Sequence, residues 1–446
     1  MNIDTLSAYI QQSNQLDREL FSKYDVKRGL RDSNGQGVLV GLTHVGDVHS
    51  YTVKDNKPFY EPGKLTYRGI SIQDLTRNCV KEKRFGFEET SFLLLFGHLP
   101  NAEELNYYEN LLGQNRMLDA KFMKANILDH PSKNVINAMA TSVLSLYTLD
   151  DNPECNSIEN VLRQSILLIG TFPTLMVYAY QACLHYHRHE SLVIHKPRPD
   201  LSTAENILYM LRPDQAYTPL EARLLDLSLI IHAEHGGGNN STFATHLITS
   251  ATTDTYSVIA AALGSLKGTR HGGASLKVLE MFNDIKENVQ NWDDELEIRD
   301  YLMKIINKEA FDKSGLIYGI GHAIYTISDP RAEVLKRYAH ELALEKGLEK
   351  EFMLHDKIEK MAPGLLSRNK HTHKQMCANV DFYSGFVYAM LNIPEELFIP
   401  LFAVARIVGW SAHRMEEIVN EGKIIRPAYK NVGDTLEYVA LSDRNL

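Results

Sequence analysis

The sequence predicts a mainly α-helical protein with a small β element near its N-terminus. Three observations carry this expectation. Beyond Tyr67-Arg68-Gly69 apolar residues recur at i, i+3 and i+4, the period of helices that each bury one face. Between Gly35 and Thr66 the texture changes to β-branched residues, alternation and repeated glycines, which reads as about two to four short strands. The chain of 446 residues, 44% hydrophobic and 23% charged, has the balance of a globular protein rather than a disordered one.

The elements follow in order. The opening stretch has a helical pattern that ends near Lys27-Arg28-Gly29. After the strands, Phe87 to Phe96, Glu103 to Leu112 and Ser157 to Ile169 each place apolar residues on one helix face. Pro100, Pro131, Pro153, Pro197-Arg198-Pro199 and Pro213 mark breaks between helices. Pro219 to His232 reads as a strong helix stopped by Gly236-Gly237-Gly238. Thr255 to Leu266, Ser275 to Phe282, Asp294 to Asn307 and Ala332 to Leu348 follow, and the last apolar helix spans Glu395 to about Val419. Ser165 to Tyr180 is apolar enough to suggest a membrane span, but it is short and contains Pro173, so a buried helix is expected.

Charge and cysteine usage narrow the function. Lys and Arg number 47 against 56 Asp and Glu, a net charge of −9, which argues against a global grip on nucleic acid or anionic membrane. Cys79, Cys155, Cys183 and Cys377 lie far apart, as in a reducing compartment. Met1 to Leu20 is polar with Arg18 as its one basic residue, unlike a secretory or transit segment, so a cytoplasmic protein is expected.

Chemistry collects at histidines beside glycine: His98, His235, His271 and His322. A glycine neighbour lets backbone and ligand approach closely, although each histidine singly also fits an ordinary helix-end turn. Arg406 is the one charge in the apolar run Leu397 to Trp410, and it requires an internal carboxylate or a bound anion. Asp381 sits among small and apolar residues, a setting that raises a carboxylate pKa. A structural ion pair explains either residue equally well in isolation. His185, His187, His189 and His195 cluster, as do His371 and His373, but no pair has the His-Glu-x-x-His spacing of a zinc hydrolase. The first cluster reads as a solvated face, and Gly319-Ile320-Gly321 lacks the third glycine of a dinucleotide fingerprint.

Together these segments resemble the citrate synthase family over most of the chain. The resemblance rests on Leu65 to Ile70, Leu93 to Pro100, His232 to Thr242, Leu266 to Ala274, Gly319 to Arg331 and Asn379 to Gly385, followed by Arg406 and Arg426, all in the family's order. It implies a two-domain helical fold, with residues 1–271 and 387–446 forming the large domain and 272–386 the small one. It implies an acyltransferase of the tricarboxylic acid cycle that condenses oxaloacetate with acetyl-CoA, using no metal or other cofactor. Asp381 would be the base, His271 the hydrogen-bond donor to the thioester oxygen, and His322 the group that polarises the ketone. His235, Arg331, Arg406 and Arg426 would hold oxaloacetate, Arg426 reaching across a homodimer interface. Gly319 and Gly321 would let the loop backbone meet CoA, while Arg368, Lys370 and Lys374 form an alternative basic patch for its phosphates that equally fits a solvated loop. Three departures stand out: Ile320 replaces the family's usual residue, Thr326 and Ala323 stand where basic residues are common, and His235 lacks the acidic residue that often follows it. Arg414 and Lys423 have no assigned role, and solvated helix faces are expected for them. Two alternatives remain: a 2-methylcitrate synthase using propionyl-CoA, which differs by one methylene, and a catalytically silent helical protein that binds metal or CoA.

Overall fold

A computed structural model describes residues 2–32, 36–54, 57–268, 271–369 and 376–444. The chain divides into Met1–Leu42 and Thr43–Leu446. The first unit holds helices Ile3–Ser13 and Arg18–Lys23, capped by the Asn2 and Asp17 side chains. The second carries the sheet and a succession of helices, as the periodicity predicts.

The sheet has three antiparallel strands in the order β1 (Gly46–Lys54), β2 (Lys57–Tyr67) and β3 (Ile70–Ser71). Gly46 pairs with Tyr67 and Thr66 with Ser71, and an irregularity between His49 and Tyr51 shifts the register. The β2 strand is pinned where the Gly63 N–H donates to the Ser328 carbonyl; a Cβ at Gly63 would strike that carbonyl and the Tyr325 ring.

Among the described residues one helix, Ile158–Arg188, is long and apolar enough to cross a membrane, and 94% of its most apolar window is buried inside the protein. It is the buried helix expected at Ser165 to Tyr180, and it continues through Pro173 well past the Ile169 end that periodicity suggests. Around it pack Val135–Leu146, Thr203–Leu211 and Phe398–Val419. The last of these begins at Phe398 because Glu395–Leu397 forms a tighter turn before it.

The helices that present chemistry are firmly started. Thr218 and Glu221 form a reciprocal capping box for Pro219–His232, with Pro219 at the first position. Asp329 caps Pro330–Lys346, and Asn379 caps Val380–Met390.

Candidate active site

Arg406 lies on Phe398–Val419 and is fully buried. Its Nε donates to the His232 carbonyl at 2.6 Å, and its guanidinium sits 4.6 Å from the Phe402 ring centre. Both Nη atoms are buried with no hydrogen-bond partner among the described residues. Burial pulls this guanidinium down to about 10, with Glu234 partly offsetting the shift. A buried cation with orphan donors is built for an anion, and a carboxylate matches its fork.

Arg331, also buried, is half engaged: Nε and Nη2 donate to Asp329 at 3.0 and 2.7 Å. Asp329 accepts the Arg331 and Val380 N–H groups as well, so one carboxylate ties the starts of two helices together. In the sequence Asp329 reads as the start signal of a helix, an acidic residue one place before a proline, and nothing local marks its hold on Arg331.

His235 follows the capped helix Pro219–His232, and its Nε2 is buried without a hydrogen-bond partner among the described residues. Burial first, then Arg331 and His322, hold its ring well below the ordinary histidine range, so it is neutral. The His322 ring stands edge-on to it at 5.4 Å and stacks on Tyr325 at 4.7 Å. His322 Nδ1 accepts the Ile324 and Tyr325 N–H groups, both at 3.1 Å. In the neutral ring the proton therefore sits on Nε2, which can donate.

The His322 loop and the Asp381 helix are stitched together. Gly321 N–H donates to the Cys377 carbonyl at 2.7 Å, Asn379 N–H to the Gly319 carbonyl at 2.8 Å, and Ile320 bridges Ala378. Gly319 has φ +80°, and a Cβ there would come within 2.9 Å of Phe382, so the close packing requires glycine. Gly321 has φ +102° and faces open space. Asp381 is the second residue of its helix, and burial lifts its carboxyl to about 6 against the pull of Arg331.

His271 lies in the turn before Ala274–Asn288. Its Nε2 is 3.1 Å from Ser241 Oγ, which accepts the Trp410 indole N–H at 3.2 Å and lies 3.0 Å from Asn239 Oδ1. Burial, then Arg406, lower it to about 4, so it is a neutral imidazole. Arg270, the residue before His271, lies outside the described residues, as do Lys370, His371, His373 and Lys374.

His235, His271, His322, Arg331, Asp381 and Arg406 thus form one electrostatic neighbourhood. Arg426 and Arg368 are exposed. Two expectations change. Arg414 is not on a solvated face: it is buried and donates to Thr255, Thr249, Asn156 and Thr253, because its helix is enclosed as far as that residue. Lys423 is exposed, but beyond the end of the helix. Thr326 is buried too, so a phosphate contact would have to come from elsewhere. A separate cavity of about 810 Å³, lined in part by Tyr180, Arg212, Tyr217, Glu221 and Lys346, lacks such a free cation. There Glu221 pairs with both Arg212 and Lys346.

Known proteins resemble this chain over most of its length. The family described as "Citrate synthase, C-terminal domain" matches residues 34–428. A citrate synthase of Deinococcus radiodurans is 35% identical over 86% of this chain and 93% of its own length. A 2-methylcitrate synthase of Shewanella oneidensis is 30% identical over 83% and 88%. The crystal structure of citrate synthase from Thermotoga maritima superposes with a TM-score of 0.72 at 30% identity, covering 94% of this chain and 99% of that one.

Proposed function

The chain belongs to the citrate synthase family, and from that premise we propose that this site condenses oxaloacetate with acetyl-CoA and water, giving citrate and CoA. The observation that carries the reading is the buried Arg406 with two unengaged nitrogens beside half-engaged Arg331. Oxaloacetate brings two carboxylates, and neutral His235 adds a donor without a further charge.

The thioester methyl is a very weak carbon acid, so its deprotonation needs stabilisation of the developing enolate oxygen. Asp381 takes the methyl proton; a carboxyl near 6 is ionised at neutral pH yet more basic than an exposed one. His271, a neutral imidazole, donates to the thioester oxygen. His322, its proton placed on Nε2, polarises the oxaloacetate ketone and protonates the alkoxide as the carbon–carbon bond forms. Water then cleaves the citryl thioester and frees CoA. No step assigned to these side chains calls on a metal or cofactor.

The remaining assignments rest on resemblance. Residues 272–386 are the smaller domain, and they contribute His322, Arg331 and Asp381, while His235, His271 and Arg406 come from the larger one, so closure would complete the site. Gly319, Gly321, Arg368 and Lys370 would meet CoA; the open side of Gly321 and the exposure of Arg368 suit that role. Arg426 would serve the partner's site in a homodimer. Supporting this, it lies on a C-terminal segment that exposes Tyr429, Leu436, Tyr438 and Leu441, a run of apolar surface that a partner would cover. A cytoplasmic location accords with four free cysteines.

Release of CoA thiol from acetyl-CoA, with and without oxaloacetate, tests the reaction. The same residues would serve propionyl-CoA, and the Shewanella oneidensis relative gives that second reading weight. Oxaloacetate-dependent release that favours acetyl-CoA supports the first reading, and preference for propionyl-CoA the second. No release from either thioester overturns both.

A further inference from the structure

Tyr325 is buried in the turn that follows His322. That turn is built on the imidazole itself. His322 Nδ1 accepts the N–H groups of Ile324 and Tyr325, two and three residues on, both at 3.1 Å. A side-chain acceptor that gathers the N–H groups just ahead of it closes a local turn. The Tyr325 ring is thereby brought onto the imidazole, with ring centres 4.7 Å apart and planes 25° from parallel.

Two more groups of the site meet the same ring. The His235 ring stands across it at 5.6 Å and 71°, and the Arg331 guanidinium lies 5.7 Å from its centre. His235 is also edge-on to His322, at 5.4 Å and 89°. Two stacked rings and a third across them form a corner, at spacings where offset and edge-to-face pairs are favourable. An aromatic face attracts a guanidinium as well. All three groups that meet the ring are assigned above to oxaloacetate, and none to acetyl-CoA.

The ring is braced from the sheet. An ideal Cβ at Gly63 would fall 2.5 Å from Tyr325 Cδ1 and 2.9 Å from Cε1, so the β2 backbone lies against that edge. The sheet holds the same loop at two more points: Ser50 Oγ donates to the Ile324 carbonyl at 2.8 Å, and the Gly63 N–H to the Ser328 carbonyl at 3.2 Å. The Tyr325 hydroxyl is buried with no hydrogen-bond partner among the described residues. Burying a polar group without a partner is unfavourable, so the ring carbons, not the hydroxyl, fix this side chain.

We propose that Tyr325 is a positioning residue for oxaloacetate: braced by β2, its ring sets the plane in which His322 presents Nε2 to the ketone and the placement of His235 and Arg331 around the same ligand. The inference rests on the assignment of those three residues to oxaloacetate above.

The test removes the flat face and keeps an apolar filling. Tyr325→Leu is expected to raise KM for oxaloacetate about tenfold and to lower kcat by about the same factor, with KM for acetyl-CoA within about twofold of wild type. Tyr325→Phe loses only the unpartnered hydroxyl; it is expected to keep both KM values within about twofold and to melt no lower than wild type. A merely structural role would lower the folded fraction and leave KM for oxaloacetate unmoved in what folds. If Tyr325→Leu does not fold, Tyr325→Met takes its place, because a flexible chain fills the space without a flat face. A folded leucine or methionine variant with KM for oxaloacetate within about twofold of wild type overturns the proposal. So does a phenylalanine variant as impaired as the leucine one, since the hydroxyl would then be at work. The rise in Tm on adding oxaloacetate reads the same contacts without turnover. A wild-type Tm that oxaloacetate does not move overturns the assignment of the site and this inference with it, whereas an equal rise in wild type and Tyr325→Leu overturns the inference alone.

Discussion

Asp329 and Arg331 form a buried, two-pronged pair, Nε to Oδ1 at 3.0 Å and Nη2 to Oδ2 at 2.7 Å. Arg406, fully buried, has no matching carboxylate contact among the described residues. The two arginines therefore differ in what they cost the empty protein: the first is compensated within the fold, while the second waits for a ligand.

Substituting Arg406 tests that contrast. Arg406→Gln is expected to raise KM for oxaloacetate by about 100-fold, in the range for losing one partner of a buried charged contact. Without substrate the variant should melt no lower than wild type, because a poorly compensated buried cation is removed. Oxaloacetate should raise the Tm of wild type and leave that of the variant unmoved, since only ligand that binds the folded state stabilises it. Differential scanning calorimetry with and without oxaloacetate reads both effects.

Asp381→Asn should separate activity from stability. Turnover is expected to fall by about 100-fold or more, the scale of a lost general base. Stability should move the other way. The folded carboxyl lies near 6, above the ordinary 3.8 of an aspartate, so the fold favours the protonated form. Its favourable contribution is present at low pH and lost as pH rises through about 6, leaving a penalty at pH 8 of about 1–3 kcal/mol that asparagine removes. A Tm at pH 8 below wild type would contradict the burial of this charge.

The pH profile of kcat/KM for acetyl-CoA should show an acid limb near 6, set by protonation of Asp381. His271, lowered to about 4, stays neutral across that limb and does not create it. An acid limb that persists near 6 in the residual activity of Asp381→Asn would assign the titration to another group.

Subunit mixing tests the homodimer and the donated arginine together. Arg426→Gln and Asp381→Asn are each expected to be nearly inactive. Unfolded together and refolded, they should regain about a quarter of wild-type activity, because each mixed dimer rebuilds one complete site. No recovery, in a mixture shown to contain hybrid dimers, would place Arg426 in the site of its own subunit.

Much of this site is written locally in the sequence. A glycine beside a histidine, an arginine inside an apolar run and a carboxylate among small residues are one-dimensional signals, and they located His235, His271, His322, Arg406 and Asp381. The helix Pro219–His232 was equally legible, because its cap, its proline and its apolar face lie within one short window. The supporting groups were not. Ser50 lies 274 residues from Ile324, and Ser241 lies 30 residues from His271, so nothing local marks either pairing. Arg414 was misjudged for a related reason: its neighbours Glu416 and Glu417 look like a solvated face, while its partners Thr249, Thr255 and Asn156 come from distant segments. That the Ser157 to Ile169 and Ser165 to Tyr180 segments join into one helix reaching Arg188 was not legible, because a buried helix tolerates a break in its own hydrogen bonding when its neighbours enclose it.

The stitch between Gly319-Ile320-Gly321 and Cys377-Ala378-Asn379 gives the two ends of the reaction a common mount. On the proposed mechanism, proton removal at Asp381 and proton delivery at His322 act on different molecules, yet the groups assigned to them share one support. A swing of residues 272–386, taken as the smaller domain, would leave their mutual spacing unaltered and change only the gap to His271 and Arg406. The timing of the chemistry would then follow a single mechanical coordinate, with acid and base reaching the reactants at the same moment.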